Sequence, residues 1–498
     1  MYNITDMKNL KVLAFDFGAS SGKALIGKFD GNKLEISEVH RFNNRPVLVN
    51  KDLYWDFLRL YHELKQGVSK AAADDIISVG IDTWGVDFGL LDKNNKLLAN
   101  PYHYRHSHTE NAYQEVSAVM SEKQLYKATG MPIHIFNTVC QLHMLKKNKE
   151  SCYQNAEKML FISDLFNYYL TGEMFSEFSI TSTAQMMDVS TGKWSNEVLD
   201  KFGINKDILC EIIPSGTVLG EFSKNFKDEL NINKKVKVVA TTQHDTASAF
   251  LAVPKSNENS VFISSGTWSL LGIERDKPIY SDEALKAGYA NEGGINGGIR
   301  FLKNIMGLWI IQECTRSFEA EDPAINFSIL EAGAEKVKPC ESLINTESKE
   351  FYSPNNMPEK IVNYCKRTGQ KVPSTKFEIA RCVYDSLALA YKHNILALDK
   401  ITGKKTEVLH IAGGGSKDTL LNKITASAVN LPVMAGPAEC TAAGNILCQL
   451  IGLKEIKNVS EARGIIKNSF PVKEFLPANT DVYNKGYEKY LSVINSSH

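Results

Sequence analysis

The chain has 498 residues, and Lys plus Arg and Asp plus Glu each number 57, so its formal charge is zero. That length is roughly three times the common domain size of about 100–150 residues, so more than one core is expected. A composition 43% hydrophobic and 23% charged excludes a disordered or low-complexity chain, and the neutral balance removes the electrostatic reason to expect nucleic acid or an anionic membrane as partner. The nine cysteines are scattered, odd in number and free of any C-x-x-C pair, which indicates neither a disulfide framework nor a zinc knuckle. Residues 1–10 lack the apolar core of a secretion signal, and no apolar stretch approaches the roughly 18–20 residues that span a bilayer. A cytoplasmic protein is the expectation.

In chain order, residues 11–17, 23–29 and 33–42 read as a β-meander, with Asp30-Gly31-Asn32 as a strong hairpin signal. Strands follow at 76–82 and 88–92, and 107–183 is mostly helical in pattern. A strand at 236–240 runs into a helix that opens at His244-Asp245-Thr246. Residues 261–270 then repeat the shape of the N-terminus, an apolar strand broken at a Gly among small residues, which suggests two related halves. An amphipathic helix is expected over 377–398, ended by Gly403. Beyond it come a strand at 407–412, a turn at 413–416, a helix at 417–429 with Ser416 as N-cap, a strand at 431–435 and a helix at 438–452. That alternation predicts an α/β unit with parallel strands.

Several of these junctions can carry chemistry. The run from Gly18 to Ala24 resembles a P-loop but has three residues between its glycines where a P-loop has four. Ala24 offers no hydroxyl for Mg²⁺, and a strand follows where the P-loop has a helix. Its remaining readings are an ordinary tight turn or a hairpin whose N–H groups cradle phosphate oxygens, with Asp16 ahead of it to hold a metal through water. Gly413-Gly414-Gly415-Ser416 bares backbone at the carboxyl end of a parallel strand, where ligands bind in open α/β sheets, although a simple turn has the same sequence. Asp245 is either an N-cap or a carboxylate kept ionised at a helix start and able to accept a hydroxyl proton. Trp84-Gly85, between Asp82 and Asp87, suits either a sugar ring or buried packing. Asn304 and Gln312 flank Met306–Trp309 and, on a single helix, would face one side.

Together the segments Phe17–Gly22, His40–Asn44, Gly80–Phe88, His244–Ala249, Ser264–Leu270, Asn291–Gly294, Leu302–Trp309 and Gly413–Gly415 resemble the actin-like ATPases. Among these the chain is similar to the FGGY carbohydrate kinases, and most closely to the branch that phosphorylates L-rhamnulose. The resemblance covers almost the whole chain in the right order.

It implies an α/β protein of two ribonuclease-H-like domains with an interdomain catalytic cleft. Residues 1–244 would form the sugar-binding domain with the phosphate hairpin and helical insertions. Residues 245–498 would form the nucleotide-binding domain, its last helices packing back on the first. It further implies ATP- and Mg²⁺-dependent phosphorylation of the 1-hydroxyl of L-rhamnulose. Asp245 would be general base, Gly85, His244, Asp245, Thr246 and Asn304 would bind the sugar, and Asp16 would position Mg²⁺. Ala19, Ser20, Ser21, Gly22, Lys23, Thr267, Gln312 and Gly414 would hold the nucleotide. Such a transfer needs mostly positioning and charge neutralisation, and domain closure would exclude water. The partners implied are a ketose and ATP, without nucleic acid or membrane, for a monomer or small homo-oligomer.

Two departures qualify the resemblance. Tyr104-Arg105 is followed by His106, Ser107 and His108 where the family often has an acidic and a basic residue. Ser264-Ser265 stands where many actin-like ATPases carry an Asp, which puts the metal on the Asp16 side alone. The alternatives are a kinase for another ketose such as L-fuculose or xylulose, an actin-like ATPase without sugar substrate, and a non-enzymatic sugar sensor.

Overall fold

The computed structural model describes residues 9–255 and 257–495. Residues 1–8, on which the expectation of no secretion leader mainly rests, lie outside the described residues. The chain forms two compact units: Met1–Pro254 with Glu274–Leu302 and Cys440–Ser469, and Lys255–Ile273 with Lys303–Glu439 and Phe470–His498.

In the first unit the meander forms as expected, strands Leu10–Phe17, Ser21–Phe29 and Leu34–Asn43 pairing antiparallel. Asp30 Oδ1 accepts the amides of Asn32 and Lys33, which closes the second turn. Leu10–Phe17 also pairs in parallel with Ser78–Thr83, and this strand with Lys237–Ala240. Thr217–Glu221 completes a six-stranded sheet antiparallel to its neighbour. Helix Phe57–Ala71 covers one face and buries Phe57, Leu60 and Leu64. Gly67 allows the approach, since a Cβ there would lie 2.5 Å from the Phe15 ring. Helix Cys440–Gly452 lies against helix Asp245–Leu251, so close that a Cβ on Gly444 would meet the Ser248 carbonyl at 1.8 Å. The stretch 107–183 is largely helical, with strand Lys158–Phe161 added antiparallel to Phe88–Leu91.

The second unit repeats the pattern. Ser260–Ser265 pairs antiparallel with Trp268–Arg275 and parallel with Val408–Ala412. Val433–Ala435 follows in parallel and Lys473–Phe475 closes that side antiparallel. In both sheets a strand–turn–strand hairpin is therefore flanked by two parallel strands and then an antiparallel one. The long helix runs over Lys376–Thr402, from a Thr375–Glu378 capping box to Gly403 in the left-handed conformation at φ +67°.

Two expectations are corrected. The helix after the glycine run is Thr419–Val429, and its N-cap is Asp418, whose carboxylate accepts the Leu421 amide at 2.9 Å. Ser416 instead lies in the short 3₁₀ turn Gly414–Lys417, its hydroxyl donating to the Gly413 carbonyl. Asn304 and Gln312 do not share a helix: Asn304 is in strand Ile299–Met306, and the helix holding Gln312 begins at Trp309. Among the described residues no helix is long and apolar enough to cross a membrane.

Candidate active site

The two hairpin turns are built alike. In the first, the Gly18 N–H donates to the Ser21 carbonyl at 3.0 Å. Asn44 holds the same turn twice, its N–H on the Ser20 carbonyl at 3.0 Å and its Nδ2 on the Gly18 carbonyl at 2.8 Å. In the second, the Gly266 N–H donates to the Trp268 carbonyl. The amides of Gly307, Leu308 and Trp309 take up the carbonyls of Thr267 and Gly266. Gly307 is needed there, because a Cβ would fall 2.6 Å from the Trp268 carbonyl carbon. With the carbonyls engaged, the N–H groups of Ala19, Ser20 and Thr267 donate to no acceptor among the described residues. Such amides form a nest for anionic oxygens.

Gly413 and Gly415 pack on Ser265, whose carbonyl and hydroxyl would meet added Cβ atoms at 2.8 and 2.0 Å. Gly414 is exposed, and a Cβ there would find only the Ser265 carbonyl, 4.0 Å away. Thr267 and Gly414 therefore sit on neighbouring strand ends of the second unit, with half-buried Gln312 in the first turn of helix Trp309–Glu321. The Asn304 Oδ1 is buried without a partner.

In the first unit, Lys23, Asp16 and Asp82 occupy adjacent register positions on three neighbouring strands. Asp82 is fully buried, its Oδ2 accepting from Asn445 Nδ2 at 2.6 Å and its Oδ1 without a partner. Burial, then the negative Asp16 and the more weakly felt Asp245, push Asp82 well above the usual carboxylate range. A cation at Asp16 would relieve that repulsion, so these residues fit a divalent metal. Among the described residues no three His, Cys, Asp or Glu side chains are grouped to enclose one. One or two carboxylates completed by water and substrate phosphate is a donor set that Mg²⁺ accepts.

His244, not Asp245, is the N-cap of helix Asp245–Leu251. Asp245 is the first helical residue and stays about one-third exposed. Its Oδ1 accepts the Thr246 amide at 2.5 Å and the Thr246 hydroxyl at 3.0 Å, and the His244 Nε2 stands 3.5 Å away. The loop before the helix hangs on Glu177, a residue that sequence reasoning missed. This buried carboxylate accepts the amides of Ser179, Ile180 and Gln243 and the hydroxyls of Ser179 and Ser215. The Ser179 hydroxyl in turn accepts the His244 amide at 3.2 Å.

Gly85 faces Thr183, whose methyl would meet a Cβ at 3.0 Å. The next residue, Val86, has φ +67°, a strained value for a β-branched side chain. Three polar side chains hold it: Thr183 Oγ1 accepts its amide, and Thr138 Oγ1 and Gln141 Nε2 donate to its carbonyl. Trp84 is 5% exposed and packs on Trp55 with ring centroids 4.0 Å apart. Both indoles donate to the buried Asp87, so of its two readings Trp84 has the packed one. In the departing loop, His106 and His108 bond one another at 2.7 Å, and His106 Nε2 reaches Asp52 at 3.1 Å.

Comparison with known proteins is consistent along the chain. The FGGY family of carbohydrate kinases matches with its N-terminal domain over residues 11–252 and its C-terminal domain over 261–453. A rhamnulokinase of Oceanobacillus iheyensis is 38% identical over 460 residues, covering 92% of this chain and 96% of that protein. One of Bacteroides thetaiotaomicron is 37% identical over 483 residues, covering 97% and 99%. Among solved structures, a gluconate kinase of Lactobacillus acidophilus superposes with a TM-score of 0.82 at 16% identity, covering 98% of each chain. A xylulose kinase of the same organism gives 0.80, also at 16% identity and 98% of each chain.

Proposed function

This chain belongs to the FGGY family of carbohydrate kinases, and from that premise we propose that it transfers the γ-phosphate of ATP to the 1-hydroxyl of L-rhamnulose. Near-full-length similarity to rhamnulokinases of two distant bacteria supports the substrate. The single observation that carries the chemistry is the setting of Asp245. A carboxylate in the first turn of a helix, partly open and with one oxygen already taken by the Thr246 amide and hydroxyl, is oriented by those bonds. Its other oxygen, Oδ2, is the proton acceptor in this reading.

As the sugar hydroxyl attacks phosphorus, Asp245 takes its proton. Gly85, His244, Thr246 and Asn304 orient the ketose. The Ala19–Lys23 turn and Thr267 hold phosphate oxygens through N–H groups, and Gln312 and exposed Gly414 meet the nucleoside. Asp16, with Asp82 beside it, would hold Mg²⁺, which would supply charge neutralisation on the phosphates. The same reading makes the protein a cytoplasmic enzyme.

Replacing Asp245 by Asn tests the role directly. Ketose phosphorylation is expected to fall about 10²–10⁴-fold, the range of a lost general base, while ATP affinity by calorimetry stays within twofold. Turnover preserved in the variant would remove Asp245 from the mechanism.

A further inference from the structure

Next to the proposed base lies a buried charge pair to which the reaction so far gives no part. Glu292 and Arg300 face each other across the hairpin of strands Ala290–Gly293 and Ile299–Met306. They are 4% and 1% exposed, with Arg300 NH2 3.0 Å from Glu292 Oε2. Arg300 Nε is pinned on the Gly293 carbonyl at 2.8 Å. The His244 ring is the third member: its Nδ1 is 3.2 Å from Arg300 NH2 and 3.1 Å from Glu292 Oε2, and its Nε2 is 3.5 Å from Asp245 Oδ1.

We propose that Glu292 and Arg300 are positioning residues of the transfer step, which through His244 keep an N–H directed at Asp245 Oδ1 and so leave Oδ2 as the proton acceptor. This rests on the reading of Asp245 as base. A guanidinium only donates, so a hydrogen bond from Arg300 to His244 Nδ1 needs a lone pair there, and in that tautomer the proton of the neutral ring sits on Nε2. If the ring is instead protonated, Nδ1–H faces the Glu292 carboxylate and Nε2 still carries hydrogen. In both of these states the atom facing Asp245 is a donor. The remaining tautomer, with Nδ1–H on Glu292 Oε2 and a lone pair toward Asp245, gives up the Arg300 bond. Without the pair, nothing at Nδ1 selects between the ring tautomers, and the imidazole loses its anchor on the hairpin strand.

A buried ion pair is weak grounds for stability, since replacing both members by neutral residues of similar size is often harmless. That separates the two roles experimentally. Glu292→Gln or Arg300→Met alone leaves an unpaired buried charge and is expected to destabilise the fold. The double variant Glu292→Gln/Arg300→Met is expected to regain a melting temperature close to wild type. Its kcat on the ketose should nevertheless stay at least about 10-fold low, with the KM for ATP within twofold. The second measurement needs no variant: in ¹⁵N-histidine spectra of the wild-type protein, His244 should carry its proton on Nε2 at neutral pH. A stable double variant with wild-type kcat overturns the proposal, and so does a neutral His244 protonated on Nδ1. Should the double variant not fold, the tautomer decides alone. A wild type inactive on L-rhamnulose would count against the substrate, whereas the tautomer is read without any substrate.

Discussion

Asn44 Nδ2 donates to the carbonyl of Gly18 at 2.8 Å, across 26 residues of chain. The bond engages one of the turn's carbonyls, beside the amide donors that Ala19 and Ser20 leave open. Asn44→Ala should therefore weaken nucleotide binding, with kcat/KM for ATP down about 10-fold. Stability should fall by only about 1 kcal/mol, the usual worth of one hydrogen bond. Steady-state kinetics with denaturant unfolding separates the two effects.

Gly22 closes the same turn, and a Cβ there would stand 2.1 Å from the Phe42 ring. Overpacking of this kind costs about 1–3 kcal/mol. Gly22→Ala should lower the melting temperature, and adding Phe42→Leu should recover most of the loss.

Thr183 serves the strained backbone at Val86, accepting its amide at 3.0 Å and donating to the Ile180 carbonyl at 2.7 Å. Thr183→Val keeps the shape and removes both bonds. The variant should raise the KM for ketose several-fold and leave that for ATP unchanged, because Gly85 adjoins the sugar side in the proposed scheme.

How much of this was legible in the chain differs by the range of the contact. The Gly18–Gly22 turn, the repeat at Gly266 and the Gly413–Gly415 run show in the sequence, because glycine punctuation is local. The helix ended by Gly403 is equally visible. Asn304 and Gln312 misled because Gly307 docks on Gly266 and Trp268, a contact about 40 residues distant that breaks the helical pattern. Ser416 and Asp418 are both capable N-caps, and only the 3₁₀ turn between them decides. Asn44 reaches Gly18 across 26 residues, Glu177 reaches Gln243 across 66 and Asn445 reaches Asp82 across 363, so no local spacing announces these contacts. The Asn291–Gly294 segment was marked by its resemblance alone, and the fold adds the pairing of Glu292 with Arg300.

Stability should carry a signature of the buried carboxylates. Burial pushes Asp87 up to about 7, against 3.8 for the ordinary group, although both tryptophans and Gln141 donate to it. Between about pH 4 and 7 the folded chain therefore binds the extra proton. Stability is highest below that window and falls as pH rises through it, by at most about 1.4 kcal/mol per pH unit for one group. Asp82, Asp164 and Glu177 are raised by burial too and add to the same slope. Urea midpoints should drop from about pH 5 to pH 8, and less so in Asp87→Asn.

The central claim is the substrate and the bond made on it. The most direct measurement incubates the protein with ATP, Mg²⁺ and each of L-rhamnulose, L-fuculose and D-xylulose. ADP release is followed, and the product's phosphate position is read by ³¹P–¹H correlation. L-rhamnulose should have a kcat/KM at least about 10-fold above the others, with phosphate on carbon 1. Equal rates on all three ketoses, or ATP turnover unmoved by any of them, would contradict the account.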